Sequence, residues 1–414
     1  MPAQIGTARL GGWLPSDQDV LESWLSVLHQ RVESREEITL HPVIEEFHDL
    51  IERDPIVRMY LSEMIRQVPK TRKYRKNHLK SIDQMLGLIN EVLTQAPEYD
   101  SAAMVGVPIN AILDWCMGTP AGFAAFRNDA INAMIKKILT AWSEFLSSDK
   151  SLYVLNETPA GWKCAAAQKA MNIQDFQYDP DDAYWGFASW NDFFTRRFKE
   201  GARPIAEPKN DKVIVSACES TPYSIRTNVK REDQFWIKAQ PYSLQDMLAS
   251  PEVVDQFVGG TVYQAFLSAL NYHRWHAPVT GTITKAFVKE GTYYSELETE
   301  GEDPEGPTNS QGYIAHVATR AIIFIECDDP VIGLMCVVLV GMGEVSSCVI
   351  PPKIKAGRRV KKGDELGFFQ FGGSTHCLVF RPGAISTFSL EAIPRIYDSP
   401  APLVLLGTQI ATAP

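Results

Sequence analysis

The residues best suited to chemistry sit in two short stretches about 100 residues apart. In Phe371-Gly372-Gly373-Ser374-Thr375, two glycines lead into a hydroxyl residue, with apolar runs at Leu366 to Phe371 and Cys377 to Phe380. Glycine allows sharp backbone geometry and close approach to a main-chain carbonyl. A serine held there can attack that carbonyl if a general base reaches its Oγ. The same residues also read as a plain turn between two strands. The other stretch, Tyr272-His273-Arg274-Trp275-His276-Ala277-Pro278, brings two imidazoles, the side chain whose ordinary titration range suits acid–base work at neutral pH. Self-cleavage by such a serine needs three parts: the nucleophile, a base, and a group that orients the base.

These two stretches, together with Phe193-Phe194-Thr195-Arg196-Arg197 and Ala202-Arg203-Pro204-Ile205, resemble the pyruvoyl-dependent phosphatidylserine decarboxylase family. The likeness is greatest to its fungal branch of L-tryptophan decarboxylases. It runs from about Ser189 to Pro382, behind an N-terminal extension like that of the fungal branch. The resemblance implies a carboxy-lyase that breaks its own Gly373–Ser374 bond and turns Ser374 into a pyruvoyl group. The two cleaved chains would stay together, and Schiff-base chemistry with a substrate amine would need no pyridoxal phosphate. His276 matches the family's base and His273 its proton donor in decarboxylation. The orienting carboxylate is an aspartate in the bacterial enzymes. Aligning Val213-Ile214-Val215 with the family's strand places Glu219 there, so a Glu-Ser pair replaces Asp-Gly and the longer side chain changes the reach. Glu219 also reads as a strand-end surface carboxylate.

Strict strand alternation would turn His273 and His276 to opposite faces, so both line one site only if the segment turns. Pro278 marks the end of any regular central strand there. His376 is expected to face away from Ser374. Tyr272, Trp275 and Phe371, with Phe368 and Phe369, are candidates for the wall of a ring-binding site. The resemblance points to a small-molecule substrate, an aromatic amino acid with tryptophan first. Phosphatidylserine, giving phosphatidylethanolamine, is the alternative. A lipoyl-like binding module lacks its hairpin-tip lysine, and a serine hydrolase lacks a G-x-S-x-G elbow.

The rest of the chain has to position these residues. At 414 residues it is long enough for two domains. The expected class is α+β: a helical accessory domain (1–150), a linker (151–188), and a β-rich, barrel-sandwich-like catalytic domain (189–414). Helical spacing is expected from a cap at Ser16 or Asp17, then at 42–53, 55–67, 78–95 and 131–146. Ser189 is expected to cap a short helix, Trp190 to Phe198. Strands are expected at 213–217, 261–267, 281–288, 322–326, 331–340 and 345–349. Two glycine-turned segments, 276–291 and 356–367, look like half-motifs of a barrel-sandwich fold.

A net charge of −10 argues against nucleic acid as a partner. Seven scattered cysteines without a CxxC pair fit a reduced, cytoplasmic protein. No signal or mitochondrial presequence is read at the start. The longest apolar run, Val331 to Met342, has 12 residues, against roughly 20 for a membrane span. No metal site is expected. His29, His41, His48 and His78 lack ligand spacing, and the acidic segment 295–310 is expected to be a solvated loop, with a lid or a calcium site as lesser readings.

Overall fold

The computed structural model describes residues 18–35, 39–68, 79–99, 107–233, 242–268, 270–298, 310–344, 347–395 and 402–414. The expected cap at Ser16 or Asp17, His78, and most of the acidic segment lie outside them.

Among the described residues, seven helices come first: α1 (Gln18–Glu33), α2 (Pro42–Arg53), α3 (Pro55–Gln67), α4 (Ile82–Val92), α5 (Pro108–Met117), α6 (Pro120–Ala125) and α7 (Asp129–Leu146). Asp54 ends α2 and caps α3, accepting from the Ile56 and Val57 N–H groups. In α7 the expected stripe is buried at Ile131, Met134, Ile135, Ile138, Trp142 and Leu146, while its seventh member, Phe145, is half-buried. Its charged face carries Lys137, paired with Glu46 of α2. After α8 (Ala165–Met171), Ser189 caps α9 (Trp190–Phe194), accepting from the Asp192 N–H. That helix stops four residues short of the expected Phe198.

The sheet region contains β1 (Val213–Val215), β2 (Thr221–Thr227), β3 (Thr261–Leu267), β4 (Arg274–His276), β5 (Gly281–Lys289), β6 (Arg320–Cys327) and β7 (Leu334–Gly341). It continues with β8 (Ser347–Val349), β9 (Arg359–Val360), β10 (Glu365–Gln370), β11 (Ser374–Phe380), β12 (Thr387–Phe388) and β13 (Gln409–Thr412). Seven strands form one sheet in the order β2-β3-β11-β7-β6-β5-β9, and two three-stranded sheets, β4-β10-β8 and β1-β13-β12, flank it. Among the described residues these strands close no barrel, so the barrel-sandwich expectation finds no support in their order. The two glycine-turned segments do pair with each other: β4 with β10, and β5 with β9, all antiparallel.

β7 and β11 are buried on both faces, which explains their near-continuous apolar sequence. Cys336, Val338, Val340, Cys377 and Val379 pack in a core shared with the helices. Met335, Val337, Leu339, Leu378 and Phe380 pack in a second core on the opposite face. One apolar core thus runs from α1 to the central sheet, joining the helical region to the strand that Ser374 begins.

Candidate active site

Ser374 is the first residue of β11, hydrogen-bonded in register between Leu267 of β3 and Gly341 of β7. Gly372 has φ +130°, a backbone conformation that favours glycine, so the chain can turn into the strand there. The Gly373 carbonyl accepts from the Met342 N–H at 3.2 Å. A backbone donor on that oxygen is the contact a developing oxyanion needs. The Ser374 hydroxyl is fully buried and has no hydrogen-bond partner. On the other face of β11, the Thr375 hydroxyl donates to the Ala265 carbonyl and accepts from Gln264 Nε2, which pins the strand.

His276 has a determined tautomer. Its Nδ1 lies 2.7 Å from the Gly363 carbonyl, which can only accept, so Nδ1 carries the proton. Nε2, 2.9 Å from the Tyr272 hydroxyl, is then the lone pair and accepts from it. Gly363 has φ +89°, a turn that aims its carbonyl at the ring. Burial lowers the His276 pKa, so the ring is neutral at pH 7. His273 is fully buried, with Nε2–H donating to the Ser268 carbonyl at 3.0 Å. Ser268 follows Leu267, the cross-strand partner of Ser374. The His273 ring stacks on Phe194 at 4.3 Å, and Phe194 meets Phe371 edge-on at 5.0 Å. The two histidines therefore sit in different surroundings, and neither is hydrogen-bonded to Ser374.

Glu219 is buried but does not bond to His276. Its carboxylate takes Arg203 Nε at 2.5 Å and the Leu406 N–H at 3.4 Å, and Arg203 also reaches Asp175 at 2.6 Å. A guanidinium offers a stronger partner than a neutral imidazole. The contact that orients the ring comes instead from the Gly363 carbonyl. Glu219 is not a surface carboxylate either, at 5% exposure.

Similarity to known proteins bears on this arrangement. A phosphatidylserine decarboxylase family model matches residues 190–397, and a second one, also described as phosphatidylserine decarboxylase, matches 41–171. Decarboxylase iboD of Amanita muscaria is 40% identical over 314 residues, covering 70% of this chain and 87% of that protein. The chain belongs to the phosphatidylserine decarboxylase family. Within it, the L-tryptophan decarboxylases of Psilocybe cyanescens and Psilocybe cubensis are each 33% identical over 397 residues, covering 89% of this chain and 88% of theirs. The protein is a carboxy-lyase of that family, related to its fungal tryptophan decarboxylases.

The Gly363 carbonyl and the Met342 N–H had no signal in the sequence. Arg203 gave one only as part of a matched family motif, and here it pairs with Glu219. Phe371 packs edge-on against Trp142 of α7 at 5.0 Å and Trp190 of α9 at 4.3 Å, which ties the cleavage segment to the helices. Trp275, expected to wall a substrate, is buried against Phe369 in the second core, and Tyr272 packs on Phe198. His376 was expected to face away from Ser374. It shares the face of Ser374 because the positions are two apart, and its cross-strand partners Ala265 and Leu339 lie in the same core as Leu267. Burial lowers its pKa to about 4.

At the start of the acidic segment, Ser295 and Glu296 are buried rather than solvated, and the Ser295 hydroxyl lies 3.0 Å from that of Tyr313. Among the described residues no group of three His, Cys, Asp or Glu side chains is placed to hold a metal ion. No described helix is long and apolar enough to cross a membrane. All seven cysteines are unpaired.

Proposed function

We propose that this chain cleaves itself at Gly373–Ser374 and then decarboxylates a free aromatic amino acid, with tryptophan first. The observation that carries the first part is the buried, unbonded Ser374 hydroxyl beside a Gly373 carbonyl already held by the Met342 N–H. His276 is the base: Tyr272 rotates off Nε2, the imidazole takes the Oγ proton, and Oγ attacks the Gly373 carbon. The C–N bond breaks, the amine takes a proton, and an ester joins Gly373 to Ser374. Loss of the Ser374 Cα proton then breaks the Cβ–O bond and releases Gly373 as a carboxylate. The dehydroalanine left at position 374 tautomerises to an imine, and water displaces ammonia from it.

The pyruvoyl group so formed supplies an electrophilic carbonyl that draws electrons from the substrate as carbon dioxide leaves. The residues present fit it, since the group needs no ligand beyond a serine at a strand start and a histidine nearby. His273, held against the Ser268 carbonyl beside the strand position opposite Ser374, returns a proton to the substrate carbon. Phe371, Phe194 and the ring of Tyr272 form the apolar wall, and Trp275 stiffens the strand behind it. The division into helical (1–150), linking (151–188) and catalytic (189–414) parts, and a cytoplasmic location, belong to the same proposal.

The amino-acid reading draws on the fungal relatives named L-tryptophan decarboxylase. A phospholipid reading draws on a relative named phosphatidylserine decarboxylase proenzyme 3, from Schizosaccharomyces pombe, 30% identical over 225 residues. Purified protein assayed against a panel of amino acids and phosphatidylserine, with amine product detected, separates the two. Tryptamine as the main product supports the proposal. Phosphatidylethanolamine alone would overturn its substrate half.

A further inference from the structure

Where α5 meets the end of β7, Asn110 is hydrogen-bonded to Glu344 and Tyr294 lies within electrostatic reach of Glu344, and four buried side-chain atoms of these residues lack hydrogen-bond partners. They are both side-chain atoms of Asn110, Oε2 of Glu344 and the hydroxyl of Tyr294. Asn110 is fully enclosed, and Glu344 and Tyr294 are each about 1% exposed. The other Glu344 oxygen accepts from the Asn110 N–H at 2.7 Å, at the N-terminus of α5. Buried polar groups without a protein partner take their hydrogen bonds from ordered water or from a bound ligand.

The cluster is close to the cleavage site. Glu344 is two residues past Met342, which holds the Gly373 carbonyl, and three past Gly341, the cross-strand partner of Ser374. Three residues of chain span at most about 11 Å. Phe126 lies 6.0 Å from the Tyr294 ring, so the polar groups have an apolar wall beside them.

We propose that Asn110, Glu344 and Tyr294 form the polar end of the substrate side-chain subsite, recognising an amino acid whose ring carries a hydrogen-bonding N–H or O–H. This deepens the amino-acid reading above and rests on it. Burial pushes the Glu344 pKa up to about 8, so the carboxyl is neutral at pH 7 and can donate as well as accept. What acts on it is burial and the backbone N–H groups of Asn110, Ile109 and Glu344 itself, with no ammonium or guanidinium among them. A phosphodiester placed there would be a buried anion without a cation, which is costly. A plain phenyl ring would leave all four atoms unpaired, and sites built to bond a polar ring reject analogues that lack the polar atom.

The test uses the full-length protein, with indole and its carbon isostere indene as probes. Indole should raise the melting temperature more than indene, and Asn110→Leu should abolish that difference. In parallel, kcat/KM for tryptophan relative to phenylalanine, normalised to the cleaved fraction, should fall about tenfold in Asn110→Leu. If that variant does not fold, Asn110→Ser and Glu344→Gln carry the same comparison. Equal shifts with indole and indene, or an unchanged tryptophan-to-phenylalanine ratio in folded variants, would overturn the subsite. Failure of the broader reading looks different: wild-type protein would form no amine from any amino acid while still distinguishing indole from indene.

Discussion

The two histidines of the Tyr272–Pro278 stretch are held by different carbonyls, and the proposed division of their roles draws on this. His276 keeps its proton on Nδ1, facing Gly363, and its lone pair on Nε2. His273 donates from Nε2 to Ser268, within a cage of Phe194 and Phe369. His276→Ala should leave the chain uncleaved, whereas His273→Ala should mature but lose decarboxylation by 10²-fold or more, roughly the scale of a lost general acid. Gel and product assays read the two effects separately, and normal maturation in His276→Ala would remove it as the base. Because the His276 pKa is lowered, its neutral form persists as pH falls through the ordinary histidine range. Maturation should therefore stay level from pH 8 to about 6.5 and slow only below that. Glu219 belongs to a buried ion pair with Arg203, and breaking such a pair by removing one partner costs about 3–5 kcal/mol. Glu219→Gln should lower the denaturation midpoint and slow cleavage over hours. Cleavage at the unmodified rate would show that Glu219 has no part in maturation. Ser374 and both histidines were singled out by residue type together with the resemblance of their two motifs to the family. Sequence pattern missed the Gly363 carbonyl and the Met342 N–H, because backbone groups leave no side-chain trace and become partners only through distant register.

At the scale of elements, α2, α3 and α7 were legible from apolar spacing, β7 from an uninterrupted apolar run and β3 from a run broken only by Gln264. α5 was not: Ile109, Asn110, Ala111, Ile112, Leu113 and Asp114 are nearly all buried, so the helix has no polar face to set a period. The seven-residue β2 and the four-residue β13 were also missed, since strands that end in polar residues or run four long carry a weak pattern. The pairing of β4 with β10 and β5 with β9 was half visible, as the similarity of two segments, but their register is a tertiary fact. The main link between α7 and the site is Trp142, buried against Phe371 and donating to the Gln95 carbonyl. Trp142→Ala should destabilise the protein by about 3–5 kcal/mol. It should also slow cleavage more than an equally destabilising change remote from Phe371. Equal slowing in both, measured by chemical denaturation and cleavage time courses, would mean that the helices only add stability.

At the scale of the whole molecule, two apolar cores pack on opposite faces of the strand that begins at Ser374, with a buried carboxyl at the seam between helices and sheet. Glu344 keeps its proton in the folded state up to about pH 8 but loses it near its ordinary value when unfolded. Between those values the folded state binds more protons, so stability falls as pH rises through that window. Glu344→Gln should flatten this slope, and an unchanged slope in urea midpoints from pH 5 to 8 would assign it to another group. The central claim is that the chain cuts itself before Ser374, and intact-mass measurement of the purified protein tests it most directly. The expected result is two species, residues 1–373 and a 41-residue fragment 374–414 whose first residue carries a pyruvoyl group in place of serine, with a single uncut species in Ser374→Ala. An active wild-type protein found as one intact 414-residue chain, or a cut that persists in Ser374→Ala, would contradict it.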